Sequence, residues 1–262
     1  CDRFKSMTLS EIVVGACAEH PTLLSLAALG PMRAGANDSA LPLLLRARQQ
    51  MRSHLHLLYA LGECLSRLGR PREAVEAFDA AIKVKPEARS HFGRALALED
   101  LSELDAARAG FERTLALNPA QSAALSRLAL LAVQRGDLKA ARELANRALA
   151  IDVNDVTAGI AMAQAALAEK DIATAERVVA AISRLPDLGP VNRAFALSLA
   201  GDVLDAQDRP AEAFAAYAQS KAIPREAYAP NMEVLESVAA REARLTEYFA
   251  AADPSAWRAT VP

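Results

Sequence analysis

The sequence predicts an all-α protein, a helical solenoid built of helix-turn-helix repeats, and three observations carry that prediction. An alanine recurs at positions 40, 74, 107, 141, 175 and 213, in steps of 34, 33, 34, 34 and 38 residues, and a period near 34 marks stacked helix pairs. Within each period, apolar residues recur three and four apart on both sides of a short polar break, the spacing of two amphipathic helices. Glycine closes the first helix of several periods, at Gly35, Gly69 and Gly136, where a positive φ ends a helix.

Counting from the alanines gives an N-terminal segment over 1–20, six units over 21–54, 55–88, 88–121, 122–155, 156–189 and 194–227, and a tail over 228–262. In the N-terminal segment, Thr8 and Glu11 have capping-box spacing and predict a short helix over about 8–19. In the first unit, Gly30-Pro31 is expected to break the first helix. Pro42 then requires the second helix to start near Asp38 or Ser39, so that the proline falls in its first turn. The second unit is the clearest. Its first helix presents Leu57, Leu58, Leu61, Leu65 and Leu68; Gly69 ends it and Pro71 opens the next, which presents Ala74, Val75, Phe78, Ala81 and Ile82 before Pro86. In the last unit Asp208-Arg209-Pro210 replaces the glycine turn. Beyond it, Leu235, Val238, Leu245 and Phe249 share one helical face opposite Glu236, Arg241, Arg244 and Glu247, predicting a capping helix over about 231–250.

Leu61-Gly62, Ala74, Phe78 after three intervening residues, and Pro86 together resemble the tetratricopeptide signature. The third unit repeats its second half with Ala107, Phe111 and Pro119, and has Arg94-Ala95 in place of Leu-Gly. The resemblance implies a right-handed superhelical solenoid whose first helices line a concave side on which partners dock. On that side it places Tyr59, Glu63, Ser66 and Arg67 from unit two, Arg89, Phe92, Leu96 and Glu99 from unit three, and Ser126, Arg127, Leu130 and Gln134 from unit four. The lysines and asparagines with which chaperone-binding members of the family grip a terminal carboxylate are absent at these places. The mixture of aromatic, aliphatic and arginine side chains suits a partly apolar protein or peptide. The same apolar groups also fit packing between adjacent units, and helical spacing alone does not separate groove from core.

Composition narrows the function further. Thirty basic residues against 32 acidic ones leave a net charge of −2, without the basic excess that nucleic acid attracts. No uncharged apolar run reaches the roughly 18–20 residues that span a bilayer. Three cysteines, at 1, 17 and 64, are odd in number and widely spaced, which argues against a disulfide framework or zinc site and for a reducing cytoplasm. The apolar run from Ile12 to Ala18 is short and follows Glu11, unlike a secretion signal. Cys1 matches the mature end of a bacterial lipoprotein, the alternative location, although no polar spacer follows it. His54 and His56, two apart on a helix, are not placed to chelate together. The carboxylates Glu99, Asp100, Glu103 and Asp105 read as solvated groups at a helix end and turn. No Gly-rich phosphate loop, G-x-S-x-G elbow or H-E-x-x-H is present. We therefore expect no catalytic, cofactor or metal site.

A second likeness concerns Phe195–Ala222. With Ala213-Phe214, Tyr217, Tyr228 and a helix ending near Phe249, it resembles the last repeat of bacterial proteins in which such units precede a sulfotransferase domain. That likeness implies a P-R-S-G-T-T-like loop for a phosphosulfate donor beyond Pro262, with Trp257 packing on the attached domain. The expected functions are thus a protein-interaction scaffold or, alternatively, the non-catalytic front of a sulfotransferase-like enzyme.

Overall fold

A computed structural model of the protein describes residues 20–232, with side chains as far as Ile223. The expected helix over 8–19, the helix over 231–250, Cys1, Cys17, Trp257 and the Tyr228 side chain lie outside the described residues. Twelve helices are described: α1 Pro21–Arg33, α2 Asn37–Gln50, α3 Leu55–Arg67, α4 Pro71–Val84, α5 Ala88–Asp100, α6 Leu104–Leu117, α7 Ser122–Gln134, α8 Leu138–Ile151, α9 Val156–Ala168, α10 Ile172–Ser183, α11 Pro190–Ala206 and α12 Pro210–Met232. Among the described residues there is no strand. The chain divides into two compact units, Cys1–Asp171, which holds α1–α9, and Ile172–Pro262, which holds α10–α12.

The recurring alanines are the packing seam. Ala40, Ala74, Ala107, Ala141 and Ala175 are completely buried, and Ala213 is 2% exposed. At such a point the two helices of a pair approach closely enough that a larger side chain would force them apart. Four residues after Ala74 the ring of Phe78 lies between two glycines. A Cβ on Gly62 would stand 2.7 Å from that ring, and one on Gly93 would stand 2.5 Å from it. The aromatic of one repeat is therefore locked by its own first helix and by the first helix of the next. In the compact unit that begins at Ile172 the Gly201–Tyr217 pair repeats half of this arrangement, with 2.5 Å between the would-be Cβ and the ring.

Every turn joining the two helices of a pair holds a left-handed residue. Gly35, Gly69 and Gly136 take φ of 77°, 67° and 77°, while Ser102, Lys170 and Asp208 take 61°, 62° and 58° without being glycine. Asp208 is the replacement the sequence marks; Ser102 and Lys170 adopt the same conformation at a steric cost of roughly 1–2 kcal/mol each.

The first repeat departs from expectation at both prolines. Helix α1 runs through Pro31 to Arg33. The proline sits in its final turn, where little helix follows, and buried Ala28 and Met32 hold the same face. Helix α2 begins at Asn37, so Pro42 lies in the second turn rather than the first. Pro42 and Asp38 are both solvent-exposed, so the Asp38 carbonyl that loses its intrahelical donor can bond to water.

Of the acids at this helix end and turn, Asp100 and Glu103 stand solvent-exposed as expected, whereas Glu99 and Asp105 bind arginines of the next repeat, as other acids do elsewhere. Arg127 donates to Glu99 at 3.4 Å and Arg135 to Asp105 at 2.9 Å. Arg94 donates to Asp79 at 2.6 Å, and Arg142 reaches both Glu169 and Asp171. Each of these pairs joins one repeat to its neighbour. They escape a reading of single helices because the partners lie on different helices, 15 residues apart for Arg94 and Asp79 and 27–30 for the others.

Candidate functional site

The first helices of repeats two to four, α3, α5 and α7, border a groove of about 370 Å³. Tyr59, Glu63, Ser66 and Arg67 line it from α3; Phe92, Gly93, Leu96 and Asp100 from α5; and Arg127 from α7, with Phe78 of α4 at the base. On a helix, residues three and four apart share a face, and Tyr59, Glu63, Ser66 and Arg67 keep that spacing.

The groove wall is aromatic and anchored in the core. The Tyr59 ring meets Phe78 edge-on at 5.8 Å, and Phe92 lies 5.6 Å from Phe111. Tyr59, Phe92 and Leu96 are each partly buried and packed on the core clusters. They are thus core and groove lining at once, which unites the two readings that spacing left open. Arg89 does not line the cavity but stands over the outer face of Tyr59, its guanidinium carbon 4.8 Å from the ring centroid, a cation–π geometry. Leu130 is partly buried outside this lining. Gln134 belongs to a separate cleft of about 350 Å³ near Leu104 and Arg135. Ser126 is buried, its hydroxyl donating to the Ala123 carbonyl at 3.1 Å.

Charges around the groove balance. The Tyr59 hydroxyl donates to Glu63 at 3.1 Å. Burial and the adjacent Glu63 carboxylate push the phenol up to about 12, so it remains a donor throughout the physiological range. Arg67 donates to the Met32 carbonyl at 3.2 Å, tying α3 to the last turn of α1. Ser66 Oγ in the wall, and Glu99 Oε2 beside Arg127, are buried without a hydrogen-bond partner.

A larger cavity of about 530 Å³ lies among α6, α7 and α8. It has no aromatic lining, and two of its charged groups already serve the fold: Arg135 holds Asp105, and Asp137 caps α8 by accepting from the Ala140 N–H at 3.1 Å. His54 and His56 are likewise engaged, whereas His91 Nε2 is buried without a hydrogen-bond partner. His54 Nδ1 accepts from the Leu57 N–H at 3.3 Å, capping α3, and His56 Nδ1 lies 2.7 Å from Arg89 Nη2. Their rings stand 5.9 Å apart, closer than the two-residue spacing suggests. Among the described residues no group of three or more His, Cys, Asp or Glu is placed to hold a metal ion. Nor is any described helix long and apolar enough to cross a membrane.

Successive paired helices, with an aromatic groove bordered by α3, α5 and α7, define a helical-repeat protein. Residues 27–83, 59–113 and 95–155 match the tetratricopeptide repeat family model, and the chain carries tetratricopeptide repeats. Solved structures with the same fold include PilW, a widely conserved type IV pilus biogenesis factor, at 18% identity and a TM-score of 0.66, covering 77% of this chain and 92% of that one. PilF of Pseudomonas aeruginosa aligns at 16% identity and a TM-score of 0.63, covering 86% and 97%. YrrB, a TPR protein with an unusual peptide-binding site, aligns at 16% identity and a TM-score of 0.53, covering 80% and 97%. No curated protein matches the chain.

Proposed function

We propose that this protein is an interaction scaffold that holds a protein or peptide segment in the groove between α3, α5 and α7. The observation that carries the reading is the wall of Tyr59, Phe92 and Leu96, apolar, partly exposed and fixed from behind by Phe78 and Phe111. Rigid aromatic groups held in advance of binding are the usual anchors of an interface, because they lose little freedom on contact. The peptide-binding site of YrrB supports the same use of the fold. Arg67, Arg89, Arg127 and Glu63 supply orientation by charge, while Leu130 and Gln134 lie along the same helix beyond the cavity.

The test is to recover a partner by affinity capture from the native cell and titrate it calorimetrically against a folded Tyr59→Ala/Phe92→Ala/Arg127→Ala variant. Loss of binding is expected; unchanged affinity overturns the groove. Cytoplasmic residence belongs to the same proposal, and an acylated Cys1 in protein isolated from its native cell would replace it with the lipoprotein reading. The attached sulfotransferase-like domain is the second reading, supported by the Phe195–Ala222 likeness. An open frame encoding a P-R-S-G-T-T-like loop downstream of Pro262 would establish it.

A further inference from the structure

Charge is unevenly distributed along the chain. Residues 33–72 hold seven arginines and no lysine against Asp38 and Glu63, a net of +5; the whole chain is −2, which leaves −7 for the remainder. The arginines are also used differently. Downstream, Arg94, Arg127, Arg135 and Arg142 each reach an acid of a neighbouring repeat, so their charge is neutralised within the fold. In the basic stretch, Arg70 pairs with Glu73 and Arg67 covers the Met32 carbonyl. Arg33, Arg48, Arg52 and Arg72 have no acidic partner among the described residues.

The placement of these groups gives the excess a direction. Arg48 lies in the last turn of α2, Arg52 in the turn that follows, and His54 and His56 open α3. His56 Nδ1 is 2.7 Å from Arg89 Nη2, and Arg89 in turn covers Tyr59. Arg48, Arg52, His54 and His56 therefore follow one another along the chain into the first turn of α3, where His56 meets Arg89 at the edge of the groove's aromatic wall. Glu87 is the acid beside Arg89, flanked by Lys85 at 2.8 Å and Arg89 at 2.9 Å.

We infer that the segment bound in the groove is acidic where it leaves the groove, with apolar side chains against Tyr59, Phe92 and Leu96 and carboxylates over Arg48, Arg52 and Arg89. This rests on the groove reading and adds the chemistry of the partner. Guanidinium groups suit carboxylates because their planar fork matches both oxygens. A peptide is favoured over larger polyanions because Arg89 adjoins an apolar wall. A nucleic-acid duplex or an anionic bilayer is disfavoured by the chain's net charge of −2. No free chain terminus is required, since these groups lie on a surface and not in a closed pocket.

The experiment is selection of a displayed random-peptide library against the full chain, followed by anisotropy of the selected pool with three proteins: wild type, R48E/R52E, and the Tyr59/Phe92/Arg127 alanine variant. The expected pool mixes apolar and acidic residues. It loses at least about tenfold in affinity for R48E/R52E and weakens steeply with salt. A neutral or basic pool, or an acidic one that binds R48E/R52E as tightly as wild type, overturns the inference and leaves the groove standing. A pool that ignores the alanine variant overturns the groove reading and, with it, the inference as stated. Failure to enrich any pool overturns both. Phosphatidylserine vesicles and a short DNA duplex are run alongside, and binding of either as tightly as the peptides overturns the assignment to an acidic peptide. Should R48E/R52E unfold, Arg48→Gln/Arg52→Gln and the salt dependence of the wild type carry the same decision.

Discussion

The second repeat and the α11–α12 hairpin use the same device to different depths. In both, an aromatic four residues after the repeat alanine lies on a glycine of the preceding helix: Phe78 on Gly62, and Tyr217 on Gly201. Phe78 has a second glycine, Gly93, on its other side and is 1% exposed. Tyr217 is partly exposed, and its hydroxyl donates to Asp202 at 2.7 Å. The difference teaches that an aromatic shared between two repeats is a three-helix lock, whereas one that serves a single pair can carry a polar end.

That contrast can be broken most directly by removing the rings. Phe78→Ala is expected to destabilise the compact unit ending at Asp171 by about 3–5 kcal/mol, the cost of emptying a fully buried aromatic site. Tyr217→Phe keeps the ring and is expected to cost about 0.5–1 kcal/mol for one hydrogen bond. Equal shifts in urea midpoint would refute the distinction. Filling the contacts is the next largest effect. Gly93→Ala should cost about 2–3 kcal/mol, because Phe78 has no free side to move toward. Gly201→Ala should cost about 1 kcal/mol, because Tyr217 can swing toward solvent. The same logic applies to the seam, where Ala74→Arg or Ala141→Leu should cost roughly 1–3 kcal/mol or more, and unaltered melting of both would refute the repeat register.

Acid should sharpen the comparison, since the only histidines, 20, 54, 56 and 91, all precede Ile172, where the compact unit holding Tyr217 begins. Burial holds His91 below its ordinary value of 6.5, with Arg113 and Arg94 adding to the effect. The unfolded chain therefore takes up the proton first. The stability that neutral His91 contributes is fully present above pH 6.5 and is lost as the pH falls through and below that value. Thermal melts of His91→Gln between neutral and mildly acidic pH should show a shallower decline than wild type, and an identical decline would exclude this group as a cause. The smallest expected effect lies in the turns. Lys170→Gly should stabilise by roughly 0.5–1 kcal/mol by relieving the left-handed backbone, and Asp208→Gly by less, because aspartate tolerates that conformation better.

Much of the fold was legible because packing repeats. Six alanines, the aromatic that follows several of them, and a turn residue at the end of four of the first helices recur at nearly one interval, and all report local approach of two helices. Gly93 was not legible as a partner of Phe78, since it lies in the following repeat and its own helix gives no reason for a glycine. The ion pairs were hidden for the same reason. Pro31 and Pro42 misled because a proline's effect depends on which turn it occupies and whether the freed carbonyl faces water. Of the residues assigned to the binding face, Tyr59, Glu63, Arg67, Phe92, Leu96 and Arg127 meet in one groove, with Arg89 on its rim. Leu130 and Gln134 fall outside it, because the lining narrows to Arg127 on α7.

The ion pairs between repeats also restrict the order in which the units can be strung. Excising residues 88–121 would join the second repeat directly to the fourth, with their shapes still matched. Ser66 would then occupy the place of Glu99 opposite Arg127, and Arg72 the place of Asp105 opposite Arg135. Each exchange amounts to under about 1 kcal/mol, the Arg135 pair being exposed and the Arg127 pair partly so, yet both act in the same direction. The repeats are thus interchangeable as shapes and distinguishable as charges, so a shortened or shuffled array should stack most tightly when each arginine stays with the acid of its original neighbour.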